Sequence, residues 1–397
     1  IKTTDSYSEY AVRGGFFRVN YNYQDKYLLE VNGRYDGSSK FPKSSRFGFF
    51  PSVSAGWQIA QESFMESTHD WLDGLKVRAS YGVIGNQNVN PYTFTPTMSV
   101  NNKSTSWIVD NTYVTSISSL PALVSQNFTW EKVGTVNVGL DVNLFNNRLN
   151  GVFEWYQRNT SGMLAPGVQL PAVVGASAPY QNTADMRTQG WEVSLNWRDQ
   201  IGKVGYRLGF NLFDYKSKIT KYDDNAATKL LSSFYPGQVM GEIWGYVTDG
   251  YYTVDDFEDT SSWKLKEGVT SINGYNVRPG DVKFKNLRDD ESTTNVITSG
   301  DNTFDNPGDR KVIGNTTPRY QYGINLGVNY AGFDLNVMLQ GTGKRDYWIS
   351  NVLTFPMNGD TFVPLFEGLS DYWRPKDPDN GDWTAVNPDA KYPRLYG

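Results

Sequence analysis

Apolar and polar residues alternate with a period of two through much of this chain, as expected of strands whose two faces meet different surroundings. Between Gly190 and Arg198, Trp191, Val193, Leu195 and Trp197 share one side, and Glu192, Ser194, Asn196 and Arg198 the other. From Arg319 to Tyr330 the pattern returns, with Tyr320, Tyr322, Ile324, Leu326, Val328 and Tyr330 set against Arg319, Gln321, Gly323, Asn325, Gly327 and Asn329. Phe17 to Tyr21, Leu29 to Tyr35, Leu75 to Val83, Val136 to Leu144, Leu149 to Trp155, Tyr206 to Leu212 and Phe333 to Leu339 follow the same rule. With Arg46 to Ile59 as the least regular member, the reading predicts about ten antiparallel strands. Several are long enough for a bilayer, which a tilted strand crosses in roughly 9 to 11 residues.

Connection lengths alternate as well. Asn22 to Lys26, Asn146 to Asn147, Asp199 to Lys203 and Ala331 to Gly332 read as tight turns, whereas residues 86–134, 159–188, 218–316 and 341–397, approximately, read as long loops. Short turns at one rim and long loops at the other are the habit of outer-membrane barrels, the turns periplasmic and the loops extracellular. Tyr21, Tyr23, Tyr27, Tyr330 and Phe333 flank two of the turns as an interfacial aromatic girdle would. Gln61 to Leu72 reads as a short helix or turn on the periplasmic rim. The competing fold is a soluble antiparallel sandwich or barrel with a solvated charged face, but sandwiches turn every 8 to 12 residues or so rather than after long excursions.

Composition changes this picture little. Aromatics make up 15% of the chain, which suits strands and membrane-interface belts. No run of about 18 uncharged apolar residues occurs, so a spanning helix is excluded, while a spanning barrel, with its weak hydropathy signal, is not. The formal charge is −5, and no basic cluster interleaves with stacking aromatics as a nucleic-acid groove requires. There are 0 cysteines, which removes disulfides and thiolate metal sites and leaves the redox compartment open. The chain starts at Ile1 without a signal peptide, so it is either soluble or a fragment of an exported protein.

Candidate chemistry is sparse. A Ser/His/Asp triad would need His69, the 1 histidine, which sits in the turn-like stretch Ser67-Thr68-His69-Asp70. Gly341-Thr342-Gly343-Lys344 resembles a phosphate loop only superficially, because Arg345 and Asp346 follow where Ser or Thr is required. Asp301, Asp305 and Asp309, with Asn302 and Asn306, form an oxygen-rich loop that could hold a hard cation such as calcium, although Asp and Asn also serve exposed turns. On the polar face, Arg18, Glu30, Arg34, Lys76, Arg78, Glu154, Glu192, Arg207 and Arg319 would line a barrel lumen. Among the loop aromatics, Trp244, Tyr246, Tyr251, Tyr252, Tyr347 and Trp348 are candidates to stack on sugar rings or peptide side chains, or else to pack the loops together.

Several stretches resemble, in order, the SusC-like TonB-dependent outer-membrane transporters of Bacteroidetes. They are Leu75-Lys76-Val77-Arg78-Ala79-Ser80-Tyr81-Gly82-Val83-Ile84-Gly85-Asn86-Gln87, Thr129-Trp130-Glu131 leading into Asn137-Val138-Gly139-Leu140-Asp141, Asn147-Arg148-Leu149, and Glu154-Trp155-Tyr156. Gly190-Trp191-Glu192-Val193, Gly245-Tyr246-Val247-Thr248-Asp249-Gly250, Pro279-Gly280-Asp281-Val282-Lys283-Phe284 and Val312-Ile313-Gly314-Asn315 continue the series. The segment Asn286 to Pro307 departs from the family by expanding a compact acidic-glycine run, which puts cation binding there in doubt.

The resemblance implies an all-β fold: a transmembrane antiparallel β-barrel of roughly 22 strands, of which residues 1–397 are an internal part, with the plug domain outside this segment. It implies a multi-pass protein of the cell outer membrane that is not an enzyme; no cofactor is expected beyond the calcium that an extracellular loop could hold. The implied partners are TonB, acting through an N-terminal part this sequence lacks, and a SusD-like surface lipoprotein. The expected activity is energised import of oligosaccharides. Import of oligopeptides by the same machinery, and a soluble secreted carbohydrate-binding β protein, are the alternatives.

Overall fold

The computed structural model describes residues 7–98, 100–101, 108–109, 112–113, 117–118, 121–125, 128–168, 170–225, 228–230, 234–288, 295–349 and 367–395. Two compact units emerge. The first comprises Ile1–Ala226, Phe234–Met240 and Arg319–Lys344, and the second Ala227–Ser233, Gly241–Pro318 and Arg345–Gly397.

The first unit is built on a 10-stranded sheet. Its strands are β1 (Val12–Tyr23), β2 (Tyr27–Ser38), β3 (Phe47–Gln58), β4 (Leu72–Asn86), β5 (Glu131–Leu144), β6 (Leu149–Pro166), β7 (Tyr180–Ile201), β8 (Val204–Tyr222), β9 (Arg319–Tyr330) and β10 (Phe333–Lys344). Each pairs antiparallel with its neighbours in this order, so the sheet is a plain meander. β1 and β10 form its two edges, and their outer ladders find no partner among the described residues.

Turn chemistry fixes the short connections. Gln24 and Asp25 both adopt positive φ, as do Ala331 and Gly332, the conformation whose twist matches a tight hairpin. The Asn22 side chain accepts from the Asp25 amide at 3.0 Å and so holds the first of these turns. Between β3 and β4 the short 3-10 helices Ile59–Gln61 and Ser63–Thr68 occupy the rim where the sequence predicts a helix or turn. Glu62 ties this rim down, accepting from Tyr27 Oη at 2.6 Å, Trp57 Nε1 at 3.0 Å and Lys26 Nζ at 3.2 Å.

Register decides which residues share a face. Tyr21, Leu29, Ala55, Val77, Leu140, Phe153, Val193, Leu212 and Tyr322 fall on one side in successive strands, and that side is apolar and largely exposed. Val19 is 59% exposed and Leu335 63%. Such a face suits hydrocarbon rather than water. Aromatics border it at both ends: Tyr23, Tyr27, Trp57, Trp197, Tyr206, Tyr330 and Phe333 toward the turns, and Tyr35, Phe49, Tyr81, Trp155, Trp191 and Tyr322 toward the loops. On β2 the two borders, Tyr27 and Tyr35, stand ~27 Å apart along the strand, or ~20 Å across the membrane at a barrel tilt of ~40°.

The strands β6, β7 and β8 run to 18, 22 and 19 residues, well past the ends expected from alternation. Beyond the upper aromatics both faces turn polar, so the period-two signal stops while pairing continues. Gln189 Nε2 donates to Gln157 Oε1 at 2.8 Å, and Arg187 Nε to Asn159 Oδ1 at 3.1 Å. The β3 segment, the least regular in sequence, also forms a full strand, with Pro51 facing Gly33 of β2.

Beside the loop ends of the strands, Phe41, Phe50, Phe128 and Trp130 form a buried aromatic core. The Trp130 indole donates to the Arg46 carbonyl at 2.8 Å, and the Asn182 side chain accepts from the Thr129 amide at 2.9 Å. The second unit consists of short ribbons. Glu242–Gly245 pairs with Lys311–Asn315, and Thr248–Tyr251 with Val282–Phe284. Tyr252, Phe257 and Val277 form its core, and Arg394 binds the Asp281 carboxylate at 2.6 Å. No helix among the described residues is long and apolar enough to cross a membrane.

Candidate functional site

The face opposite the apolar one carries the charged residues singled out in sequence. Cross-strand register runs from Arg18 through Asn32 and Ser52 to Gly82, and from Glu30 through Ser54 and Ser80 to Asn137. Arg78 faces Gly139, which faces Glu154, which faces Glu192. Arg34, Lys76 and Arg207 fall on the same side by parity.

Several charges on this face are compensated locally. Arg18 Nε donates to Asn32 Oδ1 at 2.9 Å, and Arg34 pairs with Asp36 at 3.0 Å. Arg78 bridges two strands, meeting both Asp141 oxygens at 3.2 Å and also binding Glu154, which Asn137 supports at 3.2 Å. Arg207 reaches Asn336 across an intervening strand. Glu154 and Glu192 are direct partners, an arrangement that like charges disfavour and that Arg78 relieves.

Arg319 departs from this group. Tyr320 has positive φ, which breaks the alternation at the start of β9, and both guanidinium arms reach Asp214 at 2.5 Å. Asp214 is the partner of Trp191 and shares the parity of the apolar side, so Arg319 is committed to that residue rather than to the polar face.

The loop aromatics differ in availability. Tyr252 is 0% exposed, packs on Phe257, and donates its hydroxyl to the Thr270 carbonyl at 2.5 Å. Burial pushes its phenol up to about 12. It is a core residue of the second unit, and the expectation of a ligand contact there is corrected: no ligand in solvent can reach it. Trp244 donates to Glu242 at 2.8 Å and packs edge-on to Phe304; Tyr246 packs on Phe284; Tyr251 is part of a ribbon and half-buried. Tyr347 and Trp348, 74% and 58% exposed, present open ring faces.

The acidic loop does not gather around a cation. Asp309 is 0% exposed and its carboxylate accepts from the amides of Leu287, Arg288 and Thr298 at 2.8, 3.1 and 2.7 Å. Asp301 receives the Asn306 amide group at 3.0 Å, and Asp305 offers its carbonyl to Arg288 at 3.3 Å. Among the described residues no three acidic or histidine side chains converge as a metal set. Asp309, expected as a cation ligand, is a buried acceptor that fastens three strands of loop. His69 meets the Ala60 carbonyl at 2.8 Å within its turn.

Sequence reasoning missed a cavity in the first unit. A space of about 700 Å³ opens between the loop after β4 and the loop between β6 and β7. Tyr92, Thr93, Thr95, Ser125, Ser177 and Tyr180 line it together with apolar residues such as Leu123 and Phe128, and among the described residues no lining side chain is charged. Tyr92 and Tyr180 are both exposed. The alternation that reveals strands carries no information about loops that meet only in three dimensions.

Residues 2–387 match a family model described as TonB dependent receptor-like, beta-barrel. TonB-dependent receptor P3 of Formosa agariphila is 30% identical over 342 residues, covering 82% of this chain and 31% of its own length. TonB-dependent receptor SusC of Bacteroides thetaiotaomicron is 30% identical over 269 residues, covering 65% and 26%. The chain thus spans about a third of the length of its curated relatives. Among solved structures, the RagAB peptide importer in its open-open state aligns with a TM-score of 0.63 at 23% identity, over 84% of this chain and 33% of that one.

Proposed function

Because this chain belongs to the TonB-dependent receptor β-barrel family of the outer membrane, whose members are transporters and not enzymes, we propose that it forms part of the wall and loops of an importer for oligosaccharides. In this reading a SusD-like surface lipoprotein delivers cargo at the loop end, and TonB supplies the energy through parts of the receptor outside this chain. The short turns are periplasmic and the long loops extracellular.

One observation carries the transport reading: a single sheet presents an exposed apolar face banded by aromatics on one side and an ion-paired polar face on the other. Lipid and water are the two surroundings that stabilise such a sheet together. The oligosaccharide reading rests on the loop cavity, whose described lining mixes hydroxyl-bearing and apolar residues without a charge and includes Tyr92 and Tyr180, which suits a neutral ligand with apolar ring faces better than a charged one. Two binding states are needed for release, so these loops must hold cargo with different affinity in the closed and open receptor.

The test is extraction of the full-length receptor from native membranes in mild detergent, with mass spectrometry of everything that co-purifies. A stoichiometric lipoprotein with bound glycan supports the proposal. Bound peptide would move the cargo to oligopeptides, and recovery in the soluble fraction without a partner would overturn it.

A further inference from the structure

Above the upper aromatic border, the side of the sheet that faces lipid lower down becomes basic. Trp191 of β7 is the last apolar residue of its row, and the next residues of the same parity are Gln189 and Arg187. Their direct partners on β8 are Lys216 and Lys218. Lys132 of β5 stands on the same side, one register step beyond the row that holds Arg187.

These cations have no acidic partner among the described residues. None of Lys132, Arg187, Lys216 and Lys218 enters an ion pair among the described residues, and all are exposed. The carboxylates nearest in register are already engaged, Asp214 by Arg319 and Asp185 by the Gly162 amide at 2.7 Å. Arg187 and Lys218 lie directly opposite one another, an arrangement that costs stability unless an anion is shared between them. The Asn159 side-chain oxygen Oδ1, accepting from Arg187 Nε at 3.1 Å, orients the guanidinium.

Height identifies the anion. Lys216 and Lys218 sit ~7 and ~14 Å along the strand beyond the Trp191 row, which at a tilt of ~40° is ~5 and ~10 Å above the hydrocarbon edge. A headgroup layer occupies roughly the first 5 to 8 Å there, so the Lys216 row lies within it and the row of Arg187 and Lys218 at its outer margin.

We propose that Arg187, Lys216 and Lys218, with Lys132 beside them, bind the phosphate groups of anionic lipids in the outer leaflet. The inference rests on outer-membrane residence and on the loops being extracellular, and not on the identity of the cargo.

The full-length receptor would be reconstituted in vesicles of phosphatidylcholine containing a minor fraction of spin-labelled phosphatidic acid or spin-labelled phosphatidylcholine, and the motionally restricted fraction of each label compared. The expected result is a preference for the acid over the choline lipid that falls roughly fivefold for each cation removed in Arg187→Gln, Lys216→Gln and Lys218→Gln. The charge-preserving set Arg187→Lys, Lys216→Arg and Lys218→Arg keeps the preference, and retained heat-modifiable migration shows that each variant is folded. Equal selectivity in the wild type and the glutamine variants would overturn the proposal. So would displacement of the lipid by inorganic phosphate in the buffer, which would mark a site for the free ion. Cargo binding measured on the same preparations separates either failure from a failure of the import reading.

Discussion

Gly139 is the cross-strand partner of Arg78, and the guanidinium lies over the bare glycine, its Cζ 2.7 Å from where a Cβ would stand. The missing side chain is the space through which Arg78 reaches Asp141 and Glu154. A valine at position 139 should push the arginine aside and leave two carboxylates short of a donor. Gly139→Val is expected to cost about 1–3 kcal/mol, seen as a lower temperature for loss of the compact band in heat-modifiable gel migration. Gly15→Ala, where a Cβ would meet nothing within 4 Å, should leave that temperature unchanged.

Face assignment can be tested by placing one charge on each side of a strand. Leu195 and Ser194 are neighbours on β7 with opposite parity. Leu195→Arg should destabilise the folded receptor by about 2–4 kcal/mol if it faces mid-membrane lipid, whereas Ser194→Arg should be tolerated. Comparable losses from both, read by urea unfolding in lipid vesicles, would contradict the two-sided sheet.

The alternation that makes Leu195 and Ser194 distinguishable was plain in the sequence because lipid and water impose opposite demands on adjacent residues. It disappears at Gln157, Asn159, Arg187 and Gln189, where both sides of the strand are polar, and so the upper third of β6, β7 and β8 could not be read. Phe47 to Gln58 was obscured by Pro51 and two nearby glycines, although its partners hold it in a full strand. Among site residues, Tyr347 and Trp348 are exposed as a ligand contact requires, but adjacent Tyr251 and Tyr252 look alike in sequence and differ in burial. What separates them is the ribbon pairing of Tyr251 with Val282, a long-range contact. Asp309 carried a misleading signal: an aspartate amid turn residues reads as exposed, and only the three amides converging on it show otherwise.

The rim contact at Glu62 predicts a pH dependence. The Tyr27 hydroxyl, then the Trp57 indole, with a smaller contribution from Lys26, hold the Glu62 carboxyl below its usual range. A depressed folded value means that the stabilisation is present above the unfolded pKa and is lost as pH falls through the folded one. Hydrogen exchange of the segment 59–71 should therefore be slow at neutral pH and quicken only in acid below the ordinary glutamate range. Glu62→Gln should show the quicker exchange at neutral pH and little further change on acidification.

Tyr92→Ala and Tyr180→Ala should each weaken cargo binding about three- to tenfold, the worth of one aromatic face, with the fold intact by circular dichroism. Tyr252→Ala should instead unfold the second unit, costing about 3–5 kcal/mol in the manner of a large core truncation. Its readout is the fluorescence of Trp263, which packs on Phe257 and Trp383 at 5.4 and 5.0 Å.

Chelators should leave the acidic loop unchanged, because the Asp309 carboxylate is filled by amides. Asp309→Ala, which strands those amides, should cost about 1–3 kcal/mol and expose the loop containing Thr298 to proteolysis. A melting temperature that fell on adding a chelator would restore the cation reading.

The open edges of the meander bear on how the receptor is made. β1 and β10 are each 12 residues long, and along their outer rails alternate peptide groups point at no described partner. A peptide group left without a partner in hydrocarbon costs several kcal/mol, so such a rail cannot enter the bilayer ahead of the strand that will zip onto it. Insertion must then be collective, with both seams sutured before or while the sheet leaves water. Produced in isolation, this stretch should stick seam to seam with its own copies.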